Sequence, residues 1–564
     1  MQDIRWNDPS LRPRPANFAA LTPISFLDRA ERVFPDRTAV VYGSHRETWS
    51  EHAALCRRFA SALGHAGVAN GDVVALLMTN TPPMLAAHFA VPMAGAVLNT
   101  INTRLEAASV AYILDHCEAR LLIVDAEFLG VAQQATRLIA NPPRLVVFAD
   151  AQAGFAGPAD IDTYETFLIA GDPCAAAILP DDEWTPIAVN YTSGTTGRPK
   201  GVVYSHRGAC LSAVSSIVSW PIPKLASYLW TVPLFHCNGW CMPWALALQG
   251  GQSVCLRRVD AAQIISLIAA ERVTHYCGAP IVHAMIRDTA VHQGVRFDPP
   301  VCALIGGAPP PAELIAGMDA VGIRLTHIYG LTETYAPASI CEQHPEWEGL
   351  DIAVRAEFNS RQGVSYALQA GMAVMEPATM EPVASDGATV GEIMFKGNMT
   401  MMGYLKDPQA TDRAFAGDWF HSGDLAVLDR DGYVRIRDRA KDIIISGGEN
   451  ISSIEVENVL YSHSAVAAAA VVAMPDDRWG EVPVGFVELR DGAAPSEQAL
   501  IAHCRERLAG FKCPKRVVVH RIPKTATGKI QKNLLRDAIR AGEIADLCCT
   551  RALHPDAGHV SAAT

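Results

Sequence analysis

The sequence predicts an α/β protein: a large N-terminal region of two βαβ lobes plus a small β-barrel-like unit, followed by a small mobile α+β C-terminal domain. Three observations predict it. Apolar runs of strand length alternate with amphipathic helical stretches from Pro23 to Tyr329. Beyond Ala353 the texture changes to short strands set off by glycine turns. A charged joint, Arg437-Asp438-Arg439-Ala440-Lys441-Asp442, then precedes a final stretch with helix and strand signals of its own.

Residues 24–33 are amphipathic at helical spacing, 72–78 (DVVALLM) read as a buried strand, 83–96 as a helix and 121–125 (LLIVD) as another strand. Strands alternating with helices imply a largely parallel sheet joined by crossovers. A second set of strand signals, at 186–191, 230–233, 253–256, 275–278, 301–305 and 326–329, makes the second lobe; each is followed by a turn and helix-like sequence. The runs 391–396 (GEIMFK) and 432–437 (GYVRIR) suit a small antiparallel unit. Past the joint, 455–461 and 496–508 are helical and 467–473 is a strand. The expected organisation is a large domain over 1–437, a hinge at 438–441, a small lid domain over 442–549 and an unpacked tail over 550–564.

A chain of 564 residues, with 49% hydrophobic and 19% charged residues, 42 Gly and 36 Pro, has the composition of a globular protein with sizeable cores. Disordered and collagen-like classes fall here. A formal charge of -12 repels nucleic acid and anionic membrane surfaces, so any anionic ligand must meet a local positive patch. The first twenty residues hold no apolar core of signal-peptide length, and no apolar run reaches the roughly 18 residues of a membrane span. The 14 Cys are scattered singly except for Cys548 and Cys549, with no C-x-x-C pair, which is ordinary cytoplasmic thiol usage.

Residues 191–201 read Y-T-S-G-T-T-G-R-P-K-G directly after a strand. Gly194, Gly197 and Gly201 let backbone N–H groups converge, the hydroxyls of Thr192, Ser193, Thr195 and Thr196 add donors, and Arg198 or Lys200 adds charge, a combination that suits polyphosphate oxygens. The spacing is not that of a P-loop, and a strand-like Val202-Val203-Tyr204 stands where a helix would begin. Composition alone also allows a plain surface turn.

Together with Tyr329-Gly330-Leu331-Thr332-Glu333-Thr334, His421-Ser422-Gly423-Asp424 and Pro523-Lys524-Thr525-Ala526-Thr527-Gly528-Lys529, this loop resembles the acyl-adenylate-forming superfamily, over about residues 20 to 545. Within it, Leu234-Phe235-His236-Cys237-Asn238-Gly239-Trp240 and residues 359–363 are similar to methylmercaptopropionate-CoA ligases, plant acyl-activating enzymes and short- or medium-chain acyl-CoA ligases. The resemblance implies ATP, Mg²⁺ and coenzyme A. It assigns Lys529 to the bridging and α-phosphate oxygens, Thr332 to the α-phosphate, Glu333 to Mg²⁺, and Asp424, assisted by Arg439, to the ribose. It sets the adenine between Gly306-Gly307-Ala308 and Tyr329. His236 falls at the wall between acyl pocket and CoA tunnel, with Trp240 and Gly306 bordering the acyl group. Lys441 falls at a pivot that presents Gly447-Gly448-Glu449 to the pantetheine. Alone, a His is more often a core residue, an Asp in a Gly-Asp turn is good turn chemistry, and the basic run from Lys512 to Arg540 is usually a solvated face.

These readings converge on an AMP-forming acyl-CoA synthetase acting on a short- or medium-chain, branched, thioether or aryl acid. Transfer to a carrier-protein phosphopantetheine, a catalytically silent nucleotide- or acyl-binding regulator and a luciferase-like oxygenase are the weighed alternatives. No nucleic acid and no membrane span are expected, and a homodimer is the default assembly.

Overall fold

The computed structural model describes residues 11–543 except 159, 193–198, 308, 309, 440, 448, 477 and 525–529; the expected tail over 550–564 lies outside the described residues. The chain divides into two compact units. One comprises Met1–Ala373 and Met394–Ser422, the other Val374–Ile393 and Gly423–Thr564.

The first unit holds two sheets whose central strands are short runs of Val, Ile, Leu and Ala. Such strands, apolar on both faces, pair in parallel and leave their crossover helices to cover them. The seven-stranded sheet runs Gly403–Tyr404, Lys200–Ser205, Pro186–Thr192, Val97–Thr100, Val73–Leu77, Ala119–Asp125 and Arg144–Phe148. The last five are parallel, and Lys200–Ser205 is antiparallel to both its neighbours. The nine-stranded sheet has six parallel strands at its centre: Ile323–Leu331, Val301–Ile305, His275–Gly278, Ser227–Trp230, Gln252–Cys255 and Thr38–Tyr42. Ile264, Ile268 and Ile286 of the crossover helices bury against Leu229, Tyr276 and Ile305. Val110, Ile113 and Leu114 cover Leu77, Leu122 and Val124 of the other sheet.

Buried polar groups stitch the two sheets together near the carboxyl ends of their strands. Arg257, just past the strand Gln252–Cys255, pairs at 2.8 Å with Asp125 and at 2.7 Å with both Asp150 and Glu127. Asn80 donates to the Trp230 and Val232 carbonyls at 2.8 and 3.0 Å and accepts the Leu234 N–H at 2.7 Å. This capture explains why the strand expected over 230–233 stops at Trp230: its carbonyls are taken by a side chain instead of a neighbouring strand.

The second unit carries a five-stranded sheet in which Glu449–Ile451, Ile444–Ser446, Gly480–Leu489 and Val466–Asp476 follow one another and Arg516–Val519 pairs in parallel with Gly480–Leu489. Successive residues face opposite ways. Val471 and Val487 meet Val456, Leu460 and Leu500 of the helices Ser453–Tyr461 and Glu497–Arg505. Val472 and Phe486 meet Leu535 and Ile539 of the helix Lys532–Arg540. The antiparallel texture after Ala353 appears as a four-stranded sheet of Gly371–Met375, Gly391–Lys396, Phe420–Leu428 and Val434–Arg439.

Candidate active site

In an open parallel sheet the carboxyl ends of the strands leave room for a ligand, and in the first unit Thr192, His236, Gly306, Thr332 and Glu333 lie at or just past strand ends. The strands Pro186–Thr192 and Lys200–Ser205 form an antiparallel pair with Thr192 opposite Lys200 and Tyr191 opposite Gly201. The intervening Ser193, Gly194, Thr195, Thr196, Gly197 and Arg198 lie outside the described residues. Lys200 carries its ammonium over the Tyr404 ring, 4.5 Å from the centroid.

The strand Ile323–Leu331 runs into a 3-10 turn, Thr332–Thr334, and Tyr335 leaves it with a φ of +61°. Tyr335 stacks on Tyr204 with centroids 3.9 Å apart, and its hydroxyl accepts the Ser205 N–H at 2.7 Å. The Tyr204 hydroxyl donates to the Thr332 carbonyl at 2.6 Å. This aromatic support leaves the Thr332 Oγ1 3.3 Å from Cys237 Sγ, and the Glu333 carboxylate accepts from the Tyr404 hydroxyl at 3.0 Å. Gly208 makes the packing possible, because a Cβ there would stand 2.2 Å from the Tyr335 hydroxyl.

Gly306 ends the strand Val301–Ile305 against Ile328, which a Cβ would approach to 3.0 Å. Gly307 has φ +86° and open space where a Cβ would be, while Ala308 lies outside the described residues. Tyr329 is half-buried, its ring 6.1 Å from Phe395 and tilted by 29°.

A cavity of about 50 Å³ is bordered by Asn99, Asn190, Phe235, His236, Cys237 and Thr332. After His236 the backbone enters a left-handed turn: Cys237, Asn238, Gly239, Trp240 and Cys241 have φ of +47°, +44°, +58°, +57° and +58°. Left-handed conformation costs about 1–2 kcal/mol for each residue with a side chain, so something must hold it. Asn238 is fully buried; Asn190 Nδ2 donates to its Oδ1, and its Nδ2 donates to Thr100 Oγ1 at 3.2 Å. Thr100 in turn donates to the Phe235 carbonyl at 2.9 Å. Trp240, at 9% exposure, is packed inside by the same turn. Sequence reasoning singled out His236 and Trp240 but missed Thr100, Asn190, Asn238 and Tyr404. The available signal was a polar residue at the end of an apolar strand run, as in VLNT and IAVN, which must find a buried partner.

In the second unit Asp424 and Arg439 face each other across an antiparallel pair, 3.1 Å apart, with Asp424 only 4% exposed. Glu392 accepts the Gly423 N–H at 2.7 Å and fixes the turn before Asp424. Desolvation, then the guanidinium groups of Arg439 and Arg536, push the Lys441 ammonium down to about 8, with Asp442 and Asp424 opposing. Asp438 accepts from the Ser453 N–H at 2.5 Å and from its hydroxyl at 2.7 Å, so the charged joint is anchored to the helix that follows. Gly447 donates to the Trp479 carbonyl at 2.8 Å, and Glu449 pairs with Ser446 across a short hairpin; Gly448 lies outside the described residues. Lys524 and Ile530 form an antiparallel bridge, and residues 525–529 between them, Lys529 included, lie outside the described residues.

Residues 27–405 match the AMP-binding enzyme family, and residues 455–529 match the AMP-binding enzyme C-terminal domain. This chain belongs to the AMP-binding enzymes. It is 46% identical over 558 residues to the peroxisomal acetate/butyrate–CoA ligase of Arabidopsis thaliana, covering 95% of this chain and 98% of that one. The 2-methylpropanoate–CoA ligase of Humulus lupulus is 43% identical over 541 residues, 94% of this chain and 97% of its own. Among solved structures, the o-succinylbenzoate coenzyme A synthetase of Bacillus subtilis, in complex with ATP and magnesium ion, superposes with a TM-score of 0.76 at 28% identity, covering 91% of this chain and 99% of that one. An anthranilate CoA ligase in complex with anthranoyl-AMP shares the fold, with a TM-score of 0.83 at 22% identity over 94% of this chain and 100% of that one. AMP-binding enzymes use ATP with a small-molecule acid. Among the described residues no helix is long and apolar enough to cross a membrane.

Proposed function

We infer that this chain is an ATP-dependent, AMP-forming acyl-CoA synthetase. The observation that carries the reading is the near-full-length similarity to enzymes named as short-chain acyl-CoA ligases, spanning both modules of the family. The carboxylate attacks the α-phosphorus of ATP to give acyl-AMP and pyrophosphate, and the CoA thiol then displaces AMP. Attack of one anion on another demands positioning and cationic stabilisation. We assign that work to Lys529 and Thr332 at the α-phosphate, to Lys200 with Thr192 and residues 193–197 along the phosphates, and to Gly306, Gly307, Ala308 and Tyr329 at the base. Asp424, paired with Arg439, takes the ribose hydroxyls, since a carboxylate offers two acceptors to two donors.

Glu333 fits Mg²⁺. Among the described residues no group of three His, Cys, Asp or Glu could form an all-protein metal cage, and Mg²⁺ takes one or two carboxylates alongside phosphate oxygens and waters. When bound, Mg²⁺ supplies charge neutralisation at the phosphates.

The acid is a short aliphatic one. Support comes from the inward packing of Trp240 and from relatives named for acetate, butyrate and 2-methylpropanoate. Reduced thiols at the described cysteines support a reducing, cytoplasmic setting, although several relatives are named peroxisomal. For the second half-reaction we assign Lys441 to the pivot of the 438–441 hinge, and Gly447, Gly448 and Glu449 to the pantetheine.

Purified protein is expected to release pyrophosphate in a carboxylate-dependent step and AMP in a CoA-dependent one, with kcat/KM highest among acids of two to four or so carbons. Preference for long-chain or aryl acids would overturn the substrate class. Lys529→Ala is expected to lose acyl-AMP formation, by on the order of 10² to 10³ in rate, while thioester formation from supplied acyl-AMP persists. Equal loss of both half-reactions would overturn the role of Lys529.

A further inference from the structure

Tyr404 joins two pieces of the nucleotide site that lie far apart in sequence. Its hydroxyl donates to Glu333 Oε1 at 3.0 Å, and its ring face lies under the Lys200 ammonium at 4.5 Å. The backbone around it is fixed independently. Gly403 and Tyr404 pair with Val203 and Val202 at the edge of the seven-stranded sheet, and the Tyr404 N–H donates to Thr411 Oγ1 at 2.9 Å. Three residues before it, the Met401 N–H donates to the Glu333 carbonyl at 2.8 Å, so the main chain and the side chain of Glu333 are held by one short segment.

We propose that Tyr404 is a positioning residue that aims the Glu333 carboxylate at the divalent cation and ties it to Lys200 at the base of the hydroxyl-rich loop. The proposal rests on the assignment of Glu333 to Mg²⁺. A carboxylate on a short turn has several rotamers of similar energy, and a single charge-assisted hydrogen bond from a residue fixed in a sheet selects one of them.

The test uses the intact protein with α,β-methylene-ATP, which cannot be cleaved to AMP, and Mn²⁺ as the probe, followed by the electron paramagnetic resonance of unbound Mn²⁺. Tyr404→Phe keeps the ring beneath Lys200 and deletes only the hydroxyl. Its affinity for Mn²⁺ in the nucleotide complex is expected to fall about tenfold, the usual scale for losing a group that orients a metal ligand. Its affinity for the nucleotide without divalent cation, measured in a chelator, is expected to stay that of the parent. Unchanged Mn²⁺ affinity in Tyr404→Phe, beside weakened affinity in Glu333→Gln, overturns this proposal alone. Unchanged affinity in Glu333→Gln overturns the assignment of Glu333 and the proposal with it. In the double variant the two effects are expected not to add, because the phenol acts through the carboxylate. Additive losses would mean that Tyr404 acts elsewhere, and would also overturn it.

Discussion

Tyr404 and Glu333 are separated by 71 positions, and Asn80 and Trp230 by 150, so no local pattern announces either contact. What the sequence does display locally is residue type after a strand. Thr332 and Glu333 follow an apolar run into a turn, and the structure brings them beside Cys237 and Tyr404. The basic run from Lys512 to Arg540 misleads in the same one-dimensional way. Lys512 pairs with Glu455 at 2.8 Å, Arg516 with Glu497 at 2.7 Å, Lys532 with Glu457 at 2.7 Å and Arg536 with Asp442, so charge crowded along the chain is largely neutralised in space. Asp424 is more informative, being almost fully buried and paired with Arg439. On the proposed reading Asp424→Asn is expected to lower kcat/KM for ATP roughly tenfold or more and to lower that for 2′-deoxy-ATP, which keeps only the 3′-hydroxyl, by a smaller factor, the scale of hydrogen bonds to a charged group. Steady-state kinetics with the two nucleotides checks this, and an unchanged ratio between them would remove Asp424 from the ribose.

Among the elements, the parallel strands were legible because apolar runs bounded by turns have few alternatives at their length. The strand-like Val202-Val203-Tyr204 after the hydroxyl-rich loop was equally readable, and it became half of the antiparallel pair that sets Lys200 opposite Thr192. The left-handed turn at 237–241 was not readable. Only Asn238-Gly239 hints at positive φ, whereas Cys237, Trp240 and Cys241 are held there by tertiary contacts. The helix His206–Ser219 shows the same override of propensity. Alanine ordinarily improves on glycine in a helix by about 1 kcal/mol, yet Gly208→Ala is expected to destabilise the protein by about 1–3 kcal/mol through overpacking against Tyr335. The urea unfolding midpoint measures it, and a rise would contradict the packing described.

At the scale of the whole molecule, a charge of -12 makes an anionic substrate depend on local cations, Lys200 in the first unit and Arg439 and Lys441 of the joint in the second. The joint also carries the proposed division of labour between half-reactions. Lys441→Pro is expected to spare acyl-AMP formation and to slow thioester formation at least tenfold, since proline fixes φ and restricts the residue before it. Single-turnover assays of each step check this, and undiminished CoA turnover would dismiss Lys441 as the pivot. No local pattern marks the compact division, in which Val374–Ile393 belongs with the C-terminal unit although it interrupts the first. Exchanging the whole second unit with that of a relative would therefore take three crossover points, after Ala373, Ile393 and Ser422, rather than one. A single-junction chimera cut between Glu392 and Gly423 would graft a foreign partner onto the contact that fixes the turn before Asp424, and shuffled libraries cut there would lose members for reasons unrelated to substrate choice.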